Sequence, residues 1–203
     1  MRRRTIKVGT FEVNCSILVD GETAYLVDPG AEAERIVGVL ADLALAPAAI
    51  LLTHAHFDHI GAIPALQQRF PGLPVVVSAA DREVITHPMN QYPPDYPPIE
   101  LPKNLKSAID GFQIIETPGH TPGGVCYYLP DDRLLLSGDT LFCGSFGRTD
   151  LPGGDYDTLV GSLAKLARLP PDTLVVPGHG PETTIARELG EGGVLHELVR
   201  FLQ

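Results

Sequence analysis

The chain has 203 residues, enough for one domain that buries a core between layers of secondary structure. Its formal net charge of −10 leaves no broad cationic surface for a phosphate backbone, so nucleic acid is not an expected partner. Three cysteines, Cys15, Cys126 and Cys143, include no Cys-x-x-Cys pair and leave a thiol over, so no disulfide framework is expected.

The chain opens on the basic run Met1-Arg2-Arg3-Arg4, but no apolar run of signal-peptide length follows and no stretch is long enough to span a membrane. A cytoplasmic protein without a membrane partner is expected. Strand patterns recur at 13–19, 24–27, 49–52, 73–77, 112–116, 125–129, 134–136 and 173–176. Helical periodicity marks 31–45, 60–70 and 157–169, the last with Leu159, Leu163 and Leu166 on one stripe. Composition and pattern alone give a mixed α and β class. Residues 86–103 form the long irregular segment. Six prolines there (Pro88, Pro93, Pro94, Pro97, Pro98, Pro102) fix φ and remove donors, so the segment reads either as a functional loop or as a surface excursion.

The densest chemistry lies in Thr53-His54-Ala55-His56-Phe57-Asp58-His59, directly after the apolar strand pattern 49–52. His54 and His56 alternate on extended backbone, so both rings can point the same way, and Asp58 and His59 follow where the chain turns. Such nitrogen and oxygen donors suit a divalent metal such as zinc, held at about 2.0 to 2.2 Å. One ion needs three or four ligands, so further donors are expected downstream. His120 in Pro118-Gly119-His120, Asp139 in Ser137-Gly138-Asp139 and His179 in Pro177-Gly178-His179 each follow an apolar strand and a small-residue turn. The pattern implies donors gathered on the rim of a sheet. His87 and His196 lack this context and read as surface or capping residues.

The order His54-x-His56-x-Asp58-His59, His120, Asp139, His179 resembles the metallo-β-lactamase superfamily over nearly the whole chain. Asn14-Cys15-Ser16-Ile17-Leu18, Asp28-Pro29-Gly30, Gly147-Arg148-Thr149-Asp150-Leu151-Pro152-Gly153-Gly154 and Pro177-Gly178-His179-Gly180-Pro181-Glu182-Thr183-Thr184 resemble its compact bacterial glyoxalase II-like branch. The resemblance implies an α/β fold, a four-layer αββα sandwich, as a single domain over 1–203. It further implies two divalent metal ions, zinc first, with iron or manganese accepted by the same ligands. His54, His56 and His120 would hold one ion, Asp58, His59 and His179 the other, and Asp139 would bridge them. A metal-bound hydroxide, which Asp58 can orient, would then attack a carbonyl.

A small-molecule thioester similar to S-D-lactoylglutathione is the expected substrate, since a thiolate departs without strong protonation. Arg148 matches a basic family position for substrate binding, or else anchors its loop by pairing with Asp150 or Asp155. The aromatic residue that the family pattern sets two positions later is Asp150 here. Only 24 residues follow His179, so the C-terminal helical domain of full-length glyoxalase II is not expected, and 185–203 departs from the compact branch through Gly190, Gly192 and Gly193. Two alternatives stay open: an iron enzyme resembling persulfide dioxygenases, using only His54, His120 and Asp139, and another hydrolase of the fold acting on lactones or β-lactams.

Overall fold

A computed structural model describes residues 1–201, with side chains as far as 198. The chain gathers into two compact units, Met1–Ile109 and Asp110–Gln203, each with its own apolar core. No helix among the described residues is long and apolar enough to cross a membrane.

In the first unit, β1 (Arg2–Val8), β2 (Val13–Asp20) and β3 (Thr23–Val27) form an antiparallel meander. Helix α1 (Ala33–Asp42) then crosses over to β4 (Pro47–Leu51), which pairs parallel with β3. Beyond β4 come α2 (Phe57–Ile60), α3 (Ile63–Arg69), β5 (Val75–Val76), α4 (Arg82–Ile85) and β6 (Leu105–Lys106), completing a six-stranded sheet in sequence order. Val13, Cys15, Ile17 and Val19 alternate along β2 into one core, which Ile36 and Leu40 of α1 also enter. Burial pushes the Cys15 thiol well above its ordinary pKa, so it stays a neutral packed group. The arginines at 2–4 lie on edge strand β1, where the sequence showed only a basic run; charged side chains there discourage further strand pairing.

In the second unit, β7 (Gln113–Glu116), β8 (Val125–Leu129) and β9 (Leu134–Gly138) run antiparallel, followed by the short hairpin β10 (Leu141–Phe142) and β11 (Ser145–Phe146). Helix α5 (Tyr156–Leu166) begins where the Asp155 carboxylate accepts the Thr158 N–H at 2.8 Å, and its Leu159, Leu163 and Leu166 are fully buried. Each such leucine contributes about 1.5–3 kcal/mol by leaving water. Strand β12 (Leu174–Pro177) returns parallel to β9, and β13 (Thr183–Thr184) closes the five-stranded order β13-β12-β9-β8-β7.

The stretch after β13 folds into α6 (Ile185–Leu189) and α7 (Val194–Phe201), which the glycines at 190, 192 and 193 had masked in the sequence. Glu188 is fully buried between them. Its carboxylate accepts Thr183 Oγ1 (2.6 Å), Arg187 Nη1 (2.5 Å), Gly144 N (3.1 Å) and Val194 N (3.3 Å). Burial acts to raise its pKa, but the hydrogen bonds from Thr183, Arg187, Val194 and Gly144 outweigh that and hold it below the ordinary carboxylate value. A depressed folded pKa contributes stability above the unfolded pKa that is lost as pH falls through the folded one. Glu188→Ala is therefore expected to cost about 2–3 kcal/mol in urea unfolding at pH 7, and the gap to the parent chain should narrow as the pH is lowered. An equal gap at all pH values would show that the carboxylate charge plays no part.

Candidate metal centre

Parallel strand pairs bring the donors together in each unit. In the first, β3 and β4 end in register, Val27 opposite Leu51, so the residues that follow leave the sheet side by side. Asp28 turns at φ 50°, a left-handed conformation that aspartate tolerates better than most residues, and its N–H donates to the Leu51 carbonyl. Its buried carboxylate accepts the Thr53 N–H at 2.8 Å on Oδ1 and the Thr53 hydroxyl at 2.6 Å on Oδ2. His59 Nδ1 lies 3.1 Å from that same Oδ2.

These contacts orient two imidazoles at once. With the Thr53 proton committed to Asp28, the Thr53 oxygen accepts from His54 Nδ1 at 3.1 Å, which leaves His54 Nε2 as the nitrogen that could take a metal. The His54 ring centroid stands 4.9 Å from that of His56 and 4.1 Å from that of His59. His54, Asp58 and His59 are buried and His56 half-buried, so four donors cluster in one shielded segment.

Two residues that no sequence pattern marked hold this segment's backbone. The Asp81 carboxylate, fully buried, accepts the Ala55 N–H at 2.9 Å. Asn90 donates to the Ala55 carbonyl at 2.8 Å and accepts the Phe57 N–H at 2.8 Å. Asn90 belongs to the proline-rich segment, and so does Tyr96, a nearly fully buried residue whose hydroxyl accepts the Thr10 N–H at 3.1 Å. The segment 86–103 is thus a strap tied to the histidine motif. Phe57 stands among Phe11, Tyr92 and Tyr96, with ring centroids 5.2 to 6.0 Å away.

In the second unit, β9 and β12 repeat the device. Their ends pair Gly138 with Pro177, and the Gly178 N–H donates to the Gly138 carbonyl at 2.8 Å, so Asp139 and His179 emerge together. His120 sits in the loop joining β7 and β8, closed by the Thr117 N–H to Gly124 carbonyl bond at 2.8 Å. Gly119 adopts φ +130°, and a Cβ there would stand 2.4 Å from the Leu159 backbone, so only glycine lets this loop seat on α5. His120 Nδ1 donates to the Arg148 carbonyl at 2.6 Å, which leaves Nε2 as the nitrogen that could take a metal.

Asp139 Oδ2 lies 3.6 Å from His120 Nε2 and 3.6 Å from His179 Nε2. Both separations are too long for a hydrogen bond. Two ligand atoms about 2.1 Å from one ion at a tetrahedral angle would stand about 3.4 Å apart, so the spacing fits donors that share a cation. A set of nitrogen and oxygen donors in which Nδ1 of His54 and Nδ1 of His120 are hydrogen-bonded fits a divalent metal.

Arg148 gives its backbone carbonyl to His120 and its side chain to Asp150, through Nε to Oδ1 and Nη2 to Oδ2, both at 2.6 Å. Asp155 instead caps α5. Cys143 is half-buried on the β10–β11 turn, and Cys126 is fully buried in β8. His87 is exposed and its Nδ1 accepts the Met89 N–H, while His196 Nδ1 bonds the Leu189 carbonyl between α6 and α7.

Comparison with known proteins agrees with this geometry. The metallo-β-lactamase superfamily model matches residues 8–179. A probable metallo-hydrolase of Bacillus subtilis, YqgX, is 36% identical, the match covering 97% of this chain and 98% of the relative. The hydroxyacylglutathione hydrolase GloC of Haemophilus influenzae is 38% identical over 93% of this chain and 95% of its own. Among solved structures, the BLEG-1 B3 metallo-β-lactamase superposes with a TM-score of 0.86 at 38% identity, covering 96% of this chain and 99% of that one. TTHA1623 in a di-iron-bound form gives the same score and identity over 94% and 98%. The chain belongs to the metallo-β-lactamase superfamily and has its fold.

Proposed function

We propose that this metallo-hydrolase is a binuclear thioester hydrolase of the glyoxalase II type. The observation that carries the reading is Asp139, whose Oδ2 stands 3.6 Å from the ligand nitrogens of both His120 and His179, as a carboxylate shared by two cations would. His54, His56 and His120 are proposed to hold one ion, Asp58, His59 and His179 the other, with Asp139 between. Both units then act as one domain over 1–203, in keeping with a family match that runs across them. When bound, two such ions supply hydroxide at neutral pH and stabilise a developing oxyanion.

The residues around the donors have defined parts. Asp28 holds His59 directly and His54 through Thr53, so the ligand nitrogens meet the metal already oriented. Asp58 orients the attacking oxygen. Phe11, Phe57, Tyr92 and Tyr96 gather aromatic surface beside the histidine motif. A thioester fits because its thiolate leaves without a strong general acid. Arg148 is proposed to meet the substrate, whose thioester similar to S-D-lactoylglutathione makes a small molecule the expected partner. The likeness to GloC supports that choice, and action in the cytoplasm is part of the proposal.

Protein loaded separately with zinc, iron or manganese is expected to hydrolyse S-D-lactoylglutathione well above the metal-free form. Zinc leads on ligand softness, and the di-iron form of TTHA1623 keeps iron in contention. Rates equal to buffer in every form would overturn the reading. The likeness to BLEG-1 favours β-lactam hydrolysis as the second reading, so a β-lactam belongs in the same panel.

A further inference from the structure

The loop carrying Arg148 is fixed on both sides. A Cβ on Gly147 would stand 1.9 Å from the Asp139 carbonyl oxygen and 3.0 Å from His120 Nδ1, so the chain passes tightly against two donors before it reaches Arg148. Further on, the Gly154 N–H donates to the Leu151 carbonyl and the Asp155 N–H to the Gly119 carbonyl, each at 2.8 Å. The Arg148 guanidinium is therefore presented by a rigid loop whose own backbone orients His120. It is exposed, as is Asp150, and the two meet in a parallel two-bond fork at 2.6 Å.

That fork is the arrangement in which an arginine recognises the carboxylate of a ligand. Here a residue of the same loop already fills it. Asp150 is charged at any physiological pH, since its hydrogen bond and charge pairing with Arg148 hold its pKa down to about 2. An incoming carboxylate must displace a carboxylate, within a chain whose net charge is already −10. We propose that Asp150 is a specificity-determining residue: by occupying the Arg148 fork it weakens recognition of carboxylates on the thiol portion of the thioester, so that S-D-lactoylglutathione gains little from that handle over a thioester with a neutral thiol portion. The inference rests on the thioester reading and names its substrate class.

The test compares one acyl group on two thiols, S-D-lactoylglutathione, which is anionic, and S-D-lactoyl-N-acetylcysteamine, which is neutral. In metal-loaded Asp150→Asn, the ratio of kcat/KM for the anionic over the neutral ester is expected to rise about threefold to tenfold through KM, and to do so less at high salt. Adding Arg148→Gln should return the ratio to that of the parent. An unchanged ratio, or both esters falling together as a loosened loop would cause, overturns the proposal.

A second arm needs no turnover. Binding of S-methylglutathione, which keeps the carboxylates and lacks a free thiol, should tighten by the same factor in Asp150→Asn; equal binding, or none detectable in either protein, counts against it. Failure of both esters to react in any protein would sink the hydrolase reading while this arm still decides the role of Asp150.

Discussion

Asp139→Asn should abolish most thioester hydrolysis, at least about a hundredfold, while leaving the fold intact. The substitution keeps the shape of a side chain at the end of β9 and removes its charge. Two cations about 3.5 to 4 Å apart repel strongly, and a carboxylate between them offsets part of that repulsion where an amide does not. Asp139 Oδ2 is placed alike toward His120 and His179, so the loss should weaken both proposed ions together. His179→Ala separates the two: it removes one nitrogen from the second proposed ion and none from the first, so about one metal of two should remain by elemental analysis. A His179→Ala protein with full metal content and full activity would show that the second ion is not used. The weight would then move to a mononuclear centre of His54, His120 and Asp139.

What was legible in the sequence follows the range of the contacts. His54, His56, Asp58 and His59 lie within six positions, so alternation and the turn could be read locally. His120, Asp139 and His179 each follow a strand and a small-residue turn, and the fold places them there for the reason that made them readable, since strand ends are where chain leaves a sheet. The supporting residues are another matter. Asp28 was visible only as part of a family motif, because its bonds to Thr53 depend on β3 and β4 pairing parallel across an intervening helix. Asn90 and Asp81 reach the histidine segment from outside any regular strand or long helix, where no period exists to betray a buried polar group. Short strands such as β10, β11 and β13 hold two residues each, too few for alternation to register.

The second large effect is expected from a single methyl group. A Cβ on Gly30 would stand 1.6 Å from the Asp58 carbonyl oxygen and 2.7 Å from its carbonyl carbon, both backbone atoms that cannot swing aside. The contact is reciprocal, for a Cβ on Gly61 would lie 2.4 Å from the Gly30 carbonyl oxygen, and the Ala62 N–H donates to the Pro29 carbonyl at 3.1 Å. The Asp28-Pro29-Gly30 turn is therefore pressed against the helical turn that carries Asp58 and His59. Gly30→Ala must push one away from the other. It is expected to cost about 3 kcal/mol or more, which for a chain of this size lowers Tm by about 6–12 °C. Metal affinity should fall well below the melting transition as well, because the displaced turn includes Asp28, which holds His59 and, through Thr53, His54. Gly161→Ala is the matching control: in α5 its Cβ would meet nothing within 4 Å, so helix propensity alone should raise stability by about 0.5–1 kcal/mol. If Gly30→Ala melts with the parent chain and binds metal as tightly, the close approach of these two turns does not set the position of Asp58 and His59.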